Sequence, residues 1–226
     1  MPETKSLFNK IAEHYDLLNT LFSFGMDKSW RRRLAREISG SNVLDIATGT
    51  AEVPIEVVNK WNRCYVIGVD PSKKMLDLGR AKLETHGFKK KVALVQGIAE
   101  ELPFKNGSFD SLTIAFGIRN TVDPSKSLQE MRRVLRPGGR AGILEFAVPR
   151  NRLFSPLYMF YLRNVLPFIG SFFGKRNEYE YLADSISKFP QRSSFIVLME
   201  KSGFKVKEPI ELTMGTVIIY VGIKED

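Results

Sequence analysis

The chain has 226 residues, 43% of them hydrophobic, which is enough for one domain with a large buried core. Its 34 basic residues outnumber 25 acidic ones, and the net charge of +9 favours an anionic partner: nucleic acid, an anionic membrane face or an acidic ligand. A single cysteine, Cys64, and two histidines exclude a disulfide framework and a Cys/His zinc site, and they favour a reducing, cytoplasmic setting.

The N-terminal region has the pattern of a helical cap. MPETKSLFNKIAEHYD (1–16) carries charges throughout and lacks the apolar core of a secretory signal, so we expect the mature chain to begin near Met1. Residues 7–38 show helical spacing in two pieces, with a break near SFGMD (23–27), where Gly25 can supply a turn. We therefore expect residues 1–40 to form an N-terminal helical cap.

Beyond this cap the pattern alternates between short β-rich runs and helix-like segments. The runs are NVLDIA (42–47), CYVIGVD (64–70), VALVQG (92–97), SLTIAFG (111–117) and AGILEFAV (141–148). Such alternation predicts βαβ units and a mostly parallel sheet with helices on both faces.

The C-terminal third has a different character. An aromatic stretch over 151–176 is followed by a predicted helix near 192–202, and the chain closes with GFKVKEPIELTMGTVIIYVGIKE (203–225). This closing stretch predicts two late strands joined by a turn, at least one of them antiparallel at the sheet's edge.

The first strand-to-helix turn is suited to a ligand crevice. Residues 47–51, Ala-Thr-Gly-Thr-Ala, are small enough for the backbone to approach a ligand at the carboxyl end of the first strand. The dinucleotide pattern G-x-G-x-x-G fits poorly, because placing its middle glycine on Gly49 puts Ala47 and Glu52 at the other two positions. The turn therefore argues against a dehydrogenase.

Two carboxylates flank this turn. Asp45 lies within the first apolar run, and Asp70 ends the second run, where a carboxylate can accept both hydroxyls of a ribose. S-adenosylmethionine carries an ammonium and a sulfonium, whereas a dinucleotide presents a pyrophosphate that Asp45 would repel. The pair favours a pocket for this methyl donor. The alternatives are that Asp45 caps the next helix or pairs with a core lysine or arginine, and that Asp70 caps its own helix.

Several stretches resemble the successive motifs of class I S-adenosylmethionine-dependent methyltransferases. They are VLDIATGTAEV (43–53), VIGVDPSKKML (66–76), AEELPFKNGSFDSLTIAFGIRN (99–120) and EMRRVLRPGGRAGILEFAVP (130–149). The detail resembles one branch, the quinone-biosynthesis C-methyltransferases that act on demethylmenaquinone or the corresponding ubiquinone precursor. Its patterns match YDLLNTLFSFGMDKSW (15–30), RVLRPGGRAGILEFA (133–147), FGIRN (116–120) and YEYLADSISKFP (179–190). The resemblance runs from about Phe8 to the end.

The resemblance implies one α/β domain over 1–226, a Rossmann-like fold with a mostly parallel seven-stranded sheet, S-adenosylmethionine as the donor and no metal. Donor-binding positions, besides Asp45, would be Gly49, Thr50 and Ala51 at the methionine part, Asp70 at the ribose, Ile98 and Ala99 beside the adenine, and Ala115 beneath the sulfonium.

Three residues depart from the family pattern. Ala51 stands where glycine is usual, and its Cβ is expected to narrow the approach to the donor or change the turn. Ile98 replaces a residue that is often polar or acidic, which leaves adenine recognition to backbone groups near Ala99. Asp27 stands where histidine is common, so a proton-handling role for that histidine does not transfer.

Methylation of a quinol carbon requires alignment of the ring and loss of a hydroxyl proton. The resemblance puts Arg119 and Asn120 beside this substrate: Arg119 would stabilise a phenolate electrostatically, because arginine is too basic to act as a general base, and Asn120 would bind a quinol oxygen. Tyr15 on the N-terminal cap is the third catalytic candidate. The structural alternative for Arg119 is a salt bridge to Asp110 or Asp123.

Residues 151–190 are expected to form an aromatic helical insertion. Pro156 and Pro167 interrupt its apolar part and Arg163 lies at its middle, which argues against a transmembrane helix. Aromatic rings with basic flanks suit a membrane surface or a tunnel for a prenyl tail. A cap over the sheet or a homodimer interface is the alternative.

Other functions remain open at this stage. Methylation of nucleic acid is not expected, because the basic residues are scattered and no motif for a flipped base is present. The main expectation is a cytoplasmic enzyme that contacts the membrane peripherally. Two alternatives remain: an enzyme with another phenolic or lipid acceptor, and a scaffold that binds the donor without turnover.

Overall fold

A computed structural model describes residues 16, 19–20, 23–172, 174 and 176–225 of the chain. Within them, one sheet has eight strands in the spatial order β3-β2-β1-β4-β5-β8-β6, and β7 pairs with β8 off this path. The strands are β1 (Asn42–Ile46), β2 (Tyr65–Asp70), β3 (Val92–Gln96), β4 (Phe109–Ala115), β5 (Leu135–Phe146), β6 (Phe204–Val206), β7 (Ile210–Leu212) and β8 (Val217–Lys224).

Helices connect these strands. They are α1 (Met26–Glu37), α2 (Glu52–Lys60), α3 (Lys73–Thr85), α4 (Pro124–Val134), α5 (Phe154–Phe160), α6 (Leu166–Phe172), α7 (Arg176–Lys188) and α8 (Ser193–Lys201). Short 3₁₀ turns over Ile118–Asn120 and Thr213–Gly215 follow β4 and β7, and a π turn over Tyr161–Val165 joins α5 to α6.

The predicted α/β organisation is confirmed, but the sheet has eight strands among the described residues instead of the expected seven. Strands β1 to β5 pair in parallel, and β8 is antiparallel to β5, β6 and β7. The two late strands are present as β6 and β8, but the antiparallel β8 lies inside the sheet, between β5 and β6. The short β7 was not predicted, because its three residues are too few to show an alternating pattern.

Helices pack on both faces of the sheet, because alternate residues of one strand belong to two different apolar clusters. Leu44 and Ile46 belong to a cluster with side chains of α4 and α8, whereas Val43 belongs to a cluster with side chains of α1 and α2. Neighbouring residues of a strand point to opposite faces, so the two clusters are the two halves of the core.

The N-terminal cap is described only in part. Helix α1 begins at Met26, directly after Gly25, whose φ of 75° turns the chain as predicted. Residues 16, 19 and 20 are helical, and the rest of the first predicted helical piece lies outside the described residues.

The aromatic insertion is helical, but its prolines do not interrupt it. The chain stays helical from Phe154 to Phe172, and the π turn accommodates Pro167: the Leu166 N–H donates to the Tyr161 oxygen five residues back. The insertion has its own apolar cluster, formed by Leu162, Leu166, Tyr179, Ala183 and Ile186. No helix among the described residues is long and apolar enough to cross a membrane.

Candidate active site

The loop between β1 and α2 lies against the end of β2. The Thr48 N–H donates to the Val69 oxygen at 3.0 Å, and the Gly49 N–H donates to Oδ2 of Asp70 at 2.9 Å. Gly49 has a φ of 53°, and Ala47 and Ala51 share this left-handed backbone, which is unfavourable for alanine. Such strain is typical of sites where the backbone must approach a ligand.

Gly68 in β2 makes room for this loop. A Cβ at Gly68 would lie 2.7 Å from the Thr48 hydroxyl oxygen and 2.7 Å from the Leu94 side chain. These distances are too short for any residue larger than glycine, so Gly68 sets the position of Thr48 beneath the loop.

Asp70 holds two backbone segments at the crevice. Besides Gly49, it accepts the Ser72 N–H at 2.8 Å, and its side chain is buried. The N-cap of α3 is Ser72, whose hydroxyl accepts the Met75 N–H, so capping of α3 is not the task of the Asp70 carboxylate. Burial raises the pKa of Asp70, and the two backbone hydrogen bonds oppose that rise.

Asp45 is an isolated buried carboxyl. Its Oδ1 accepts a hydrogen bond from Thr113 Oγ1 at 2.6 Å, across the register that pairs β1 with β4. It does not cap α2, whose N-cap is Ala51, and it forms no ion pair with any described residue. Burial, helped by the nearby charge of Asp70, raises its pKa to about 7, against the lowering effect of the Thr113 and Thr48 hydroxyls and of the charge of Arg31.

Three buried side-chain oxygens of the described residues have no hydrogen-bond partner. Within the described part of the chain they are Asp45 Oδ2, Thr48 Oγ1 and Glu100 Oε2. Asp45 is in β1, Thr48 is in the loop that follows it, and Glu100 follows Ile98 and Ala99 after β3. Unpaired buried polar atoms are costly, so the oxygens of Asp45 and Thr48, three residues apart at the end of β1, fit a polar ligand that supplies the missing partners.

The remaining predicted donor residues lie around the same strand ends. Ile98 and Ala115 are half-buried, and Ala99 is buried. Thr50 is buried as well, and its hydroxyl donates to Asp16 at 2.6 Å and accepts from Lys82 at 3.2 Å, which ties the loop to the N-terminal segment.

The expected narrowing of the approach by Ala51 is not seen. Ala51 has no exposed surface, and its Cβ packs toward Gly79 of α3, 3.5 Å from where a Cβ of that residue would lie. Its methyl group therefore faces the core, and the departure from glycine affects only the backbone angle.

A large apolar cavity of about 480 Å³ lies beside Phe116, the residue that directly follows β4. Its walls come from α1, the ends of β4 and β5, the Thr213–Gly215 turn and helices α5 to α7 of the insertion. Aromatic side chains dominate the lining, among them Trp30, Phe116, Phe146, Tyr158 and Tyr161. This size and lining suit an organic ligand with a large apolar part.

Arg119 lies in the wall of this cavity, in a buried ion pair. Its Nη1 donates to Glu145 Oε1 at 2.6 Å and to the Phe116 oxygen at 2.7 Å. The expected alternative partners were wrong, since Asp110 pairs with Arg136 and Asp123 caps α4. Sequence reasoning missed Glu145, although a charge inside the apolar run AGILEFAV was a usable signal.

Two cations lie near a stacked pair of rings in the cavity. Phe116 and Phe146 stack at 4.3 Å between centroids, and Trp30 meets both edge-on. The Arg31 guanidinium lies 5.8 Å from the Phe116 centroid, and that of Arg119 lies 5.4 Å from the Phe146 centroid. Cations beside aromatic faces are favourable, and each of these guanidiniums is also paired with a buried carboxylate, Arg31 with Asp27 and Arg119 with Glu145.

The other catalytic candidates differ in placement. The Asn120 amide donates to the Phe116 oxygen at 3.1 Å and accepts the Tyr181 hydroxyl at 3.1 Å, and the Tyr181 ring lines the cavity. Tyr15 lies outside the described residues. Asp27, the third departure from the family pattern, is buried in the cavity wall and pairs with Arg31.

Comparisons with known proteins match almost the whole chain. The model of the "ubiE/COQ5 methyltransferase family" matches residues 2–224. The "Ubiquinone/menaquinone biosynthesis C-methyltransferase UbiE" of Geotalea uraniireducens is 44% identical over 224 residues, which cover 97% of this chain and 95% of that protein. The "Demethylmenaquinone methyltransferase" of Thermus thermophilus is 41% identical over 220 residues, 96% of this chain and 99% of that one.

The fold is shared with solved structures of lower identity. A SAM-dependent methyltransferase of Thermotoga maritima, described as a possible histamine N-methyltransferase, superposes with a TM-score of 0.69 at 19% identity, covering 98% of this chain and 100% of that one. This likeness supports the Rossmann-like methyltransferase fold.

Proposed function

Because the chain belongs to the ubiE/COQ5 methyltransferase family, we propose that it transfers the methyl group of S-adenosylmethionine to a ring carbon of a prenylated quinol of the demethylmenaquinol type. It is a C-methyltransferase of quinone biosynthesis. The family and the fold imply S-adenosylmethionine as the donor.

The crevice at the ends of β1, β2 and β3 is the proposed donor site. Asp70 would accept the ribose hydroxyls, and Asp45 and Thr48 offer unpaired buried oxygens to the ammonium group of the donor. Gly49, Thr50 and Ala51 would line the methionine part through the loop backbone, Ile98 and Ala99 would flank the adenine, and Ala115 would lie beneath the sulfonium. The bound donor supplies an electrophilic methyl group, so the protein's own task is to align the acceptor and handle its proton.

The apolar cavity is the observation that carries the acceptor assignment. Phe116 lines it and directly follows Ala115, so the cavity begins where the proposed methyl position ends. A prenyl chain would occupy its aromatic and aliphatic walls, while the quinol ring would lie near Phe116 and Phe146, where Arg119 can stabilise developing negative charge. Asn120 would act through Tyr181, and Tyr15 is retained as a candidate on the N-terminal cap.

Acceptor comparison tests this assignment. Initial rates of methyl transfer from labelled donor would be measured with demethylmenaquinol carrying a prenyl chain and with the same ring lacking it. Burial of each CH₂ contributes about 0.8 kcal/mol, so loss of the chain should lower kcat/KM by at least about 100-fold. The Asp70→Ala variant, which we expect not to bind the donor, is the negative control. Equal kcat/KM for both acceptors, or transfer to RNA instead, would refute the assignment.

The exposed face of the insertion is the proposed contact with the membrane. Leu153, Leu157, Phe160, Phe168 and Phe172 are between 59% and 88% exposed, on the helices that wall the cavity. Exposed apolar patches of this kind mark interaction sites. In the sequence, Arg150 and Arg152 precede these residues and Lys175 and Arg176 follow them, and these basic residues would meet anionic headgroups. The enzyme would thus work from the cytoplasmic side and take its acceptor from the bilayer.

Vesicle sedimentation separates this contact from a homodimer interface. The wild type is expected to sediment with vesicles containing anionic phosphatidylglycerol, less so with zwitterionic vesicles or at high salt. Phe168→Ser with Phe172→Ser should abolish binding, whereas Tyr65→Ser, at an exposed aromatic on β2, should not. Loss of a dimer in the double variant, without any vesicle binding by the wild type, would assign the face to self-association.

A further inference from the structure

We propose that Asp27 is the proton acceptor for the quinol hydroxyl and that Arg31 binds the resulting oxyanion. This inference rests on the proposed function, because it assigns the proton acceptor of the same reaction.

Asp27 is the buried carboxylate that reaches the acceptor cavity. It is 5% exposed and lines the cavity from the first turn of α1, where the helix dipole favours negative charge. Its Oδ1 accepts a hydrogen bond from Ser23 Oγ at 3.0 Å, and its Oδ2 pairs with Arg31. The carboxylate is therefore fixed in place at the cavity wall.

The other carboxylates near the cavity are less suited to this task. Glu145 is 1% exposed and does not line the cavity, and its Oε1 accepts from the Arg119 guanidinium at 2.6 Å and from the Phe146 N–H at 2.9 Å. Glu178 lines the cavity but is only half-buried, on α7 of the insertion. Asp45 belongs to the donor crevice and lines no part of this cavity among the described residues.

Arg31 lies between the two sites. Its guanidinium pairs with Asp27, lies beside the Phe116 ring and lowers the pKa of Asp45 through its charge. It is 4% exposed and lines the acceptor cavity, so its positive charge acts with little screening by water. An acceptor oxygen near Phe116 would therefore meet the Arg31 guanidinium with the Asp27 carboxylate beside it.

The step balances as follows. The quinol O–H bond breaks, and its proton passes to the Asp27 carboxylate. The ring carbon forms a bond to the methyl carbon, and the sulfur–methyl bond breaks with its electron pair remaining on sulfur. The ring C–H proton then leaves to water, and Asp27 returns its proton to the ring oxygen, which restores the quinol. One proton is released for each methyl group transferred.

Variants of Asp27, assayed at saturating donor, test the inference. Asp27→Asn keeps the size and hydrogen-bonding shape of the side chain but cannot accept a proton, so kcat should fall by about 10²- to 10⁴-fold with unchanged donor affinity. Asp27→His should regain activity and acquire a loss of kcat below about pH 6.5, because imidazolium cannot accept the proton. Glu37→Gln breaks an exposed i,i+4 pair with Arg33 on the same helix and is the matched control.

The pH profile of kcat distinguishes the two roles of Asp27: replacing a proton acceptor by histidine changes the profile, whereas replacing a purely structural residue does not. Saturating donor is expected to keep Asp45 charged. The other ionisable side chains that line the cavity are the same in every variant: Arg31, Arg119, Tyr158, Tyr161, Glu178, Tyr179 and Tyr181. Turnover within a few-fold of wild type in Asp27→Asn, or an unchanged pH profile in an active Asp27→His, would overturn the inference. If Asp27→Asn does not fold, the profile of Asp27→His decides alone. An inactive but folded Asp27→His also counts against it. Absence of quinol methylation by the wild type would instead refute the proposed function.

Discussion

Replacing the buried carboxyl of Asp45 should make the protein more stable at neutral pH while weakening donor binding. The pKa of Asp45 is about 7 in the folded protein, against an ordinary value of 3.8. The folded state thus binds the Asp45 proton more tightly than the unfolded state does. Between pH 3.8 and pH 7, Asp45 loses its proton in the unfolded chain but keeps it in the folded protein. Rising pH therefore lowers the free energy of unfolding across this range.

The magnitude follows from the two pKa values. Each pKa unit corresponds to about 1.36 kcal/mol, and a difference of about three units therefore destabilises the fold by about 4 kcal/mol above pH 7. Asp45→Asn removes this pH-dependent part. An amide left without a partner lowers stability by about 1–3 kcal/mol at every pH, so the pH dependence is the diagnostic quantity.

Urea unfolding of both proteins across the pH range measures the effect. The stability of Asp45→Asn relative to wild type should improve by about 4 kcal/mol from about pH 4 to about pH 8. Calorimetric titration should show that wild-type affinity for S-adenosylmethionine falls as pH drops below 7, by at most tenfold per unit, and that the variant binds weakly with no such dependence.

A flat stability difference between Asp45→Asn and wild type would refute the raised pKa. Undiminished donor binding by the variant would refute the pairing of Asp45 with the ammonium group. Asp70→Asn is the matched control: it changes the ribose carboxylate of the same crevice and leaves the Asp45 carboxyl in place.

Three further substitutions have expected outcomes. Gly68→Ala should lower the free energy of unfolding by about 1–3 kcal/mol, measured in urea, and weaken donor binding, because its Cβ displaces Thr48; an unchanged midpoint would contradict this. Ala51→Gly should relieve about 1 kcal/mol of backbone strain and leave donor affinity unchanged in calorimetry, since the methyl faces the core; weaker binding would count against that placement. Glu145→Gln should destabilise the fold by about 3 kcal/mol, because it leaves Arg119 buried without a counter-charge. Adding Arg119→Gln should restore part of the lost stability. A double variant no more stable than Glu145→Gln alone would show that the two residues are not coupled.

The parallel sheet was predictable because its signals are local. Each of β1 to β5 contains an apolar run, and the small residues of the loop after β1 are visible in the sequence. The charge inside β1 marked Asp45 in advance, since a carboxyl among apolar residues needs a partner or a ligand.

The missed features depend on contacts between distant segments. Glu145 in β5 carries the same signal as Asp45, but its partner Arg119 is 26 residues away and is identified only by the folded arrangement. The pairing of Asp27 with Arg31 follows helical spacing, yet nothing in the sequence places it on the wall of a cavity. Pro167 suggested a break in the helix, but a π turn before it lets the helix continue. This local adjustment depends on packing within the insertion, which the sequence does not show.

Mass spectrometry of the product tests the central claim most directly. The protein would be incubated with methyl-labelled S-adenosylmethionine and a prenylated demethylmenaquinol, and the position of the label would be determined. Label on a ring carbon, abolished in a folded Asp70→Ala variant, is the predicted result. Label on a ring oxygen, or no transfer by a wild type that binds the donor, would contradict the assignment of this cavity to quinol C-methylation.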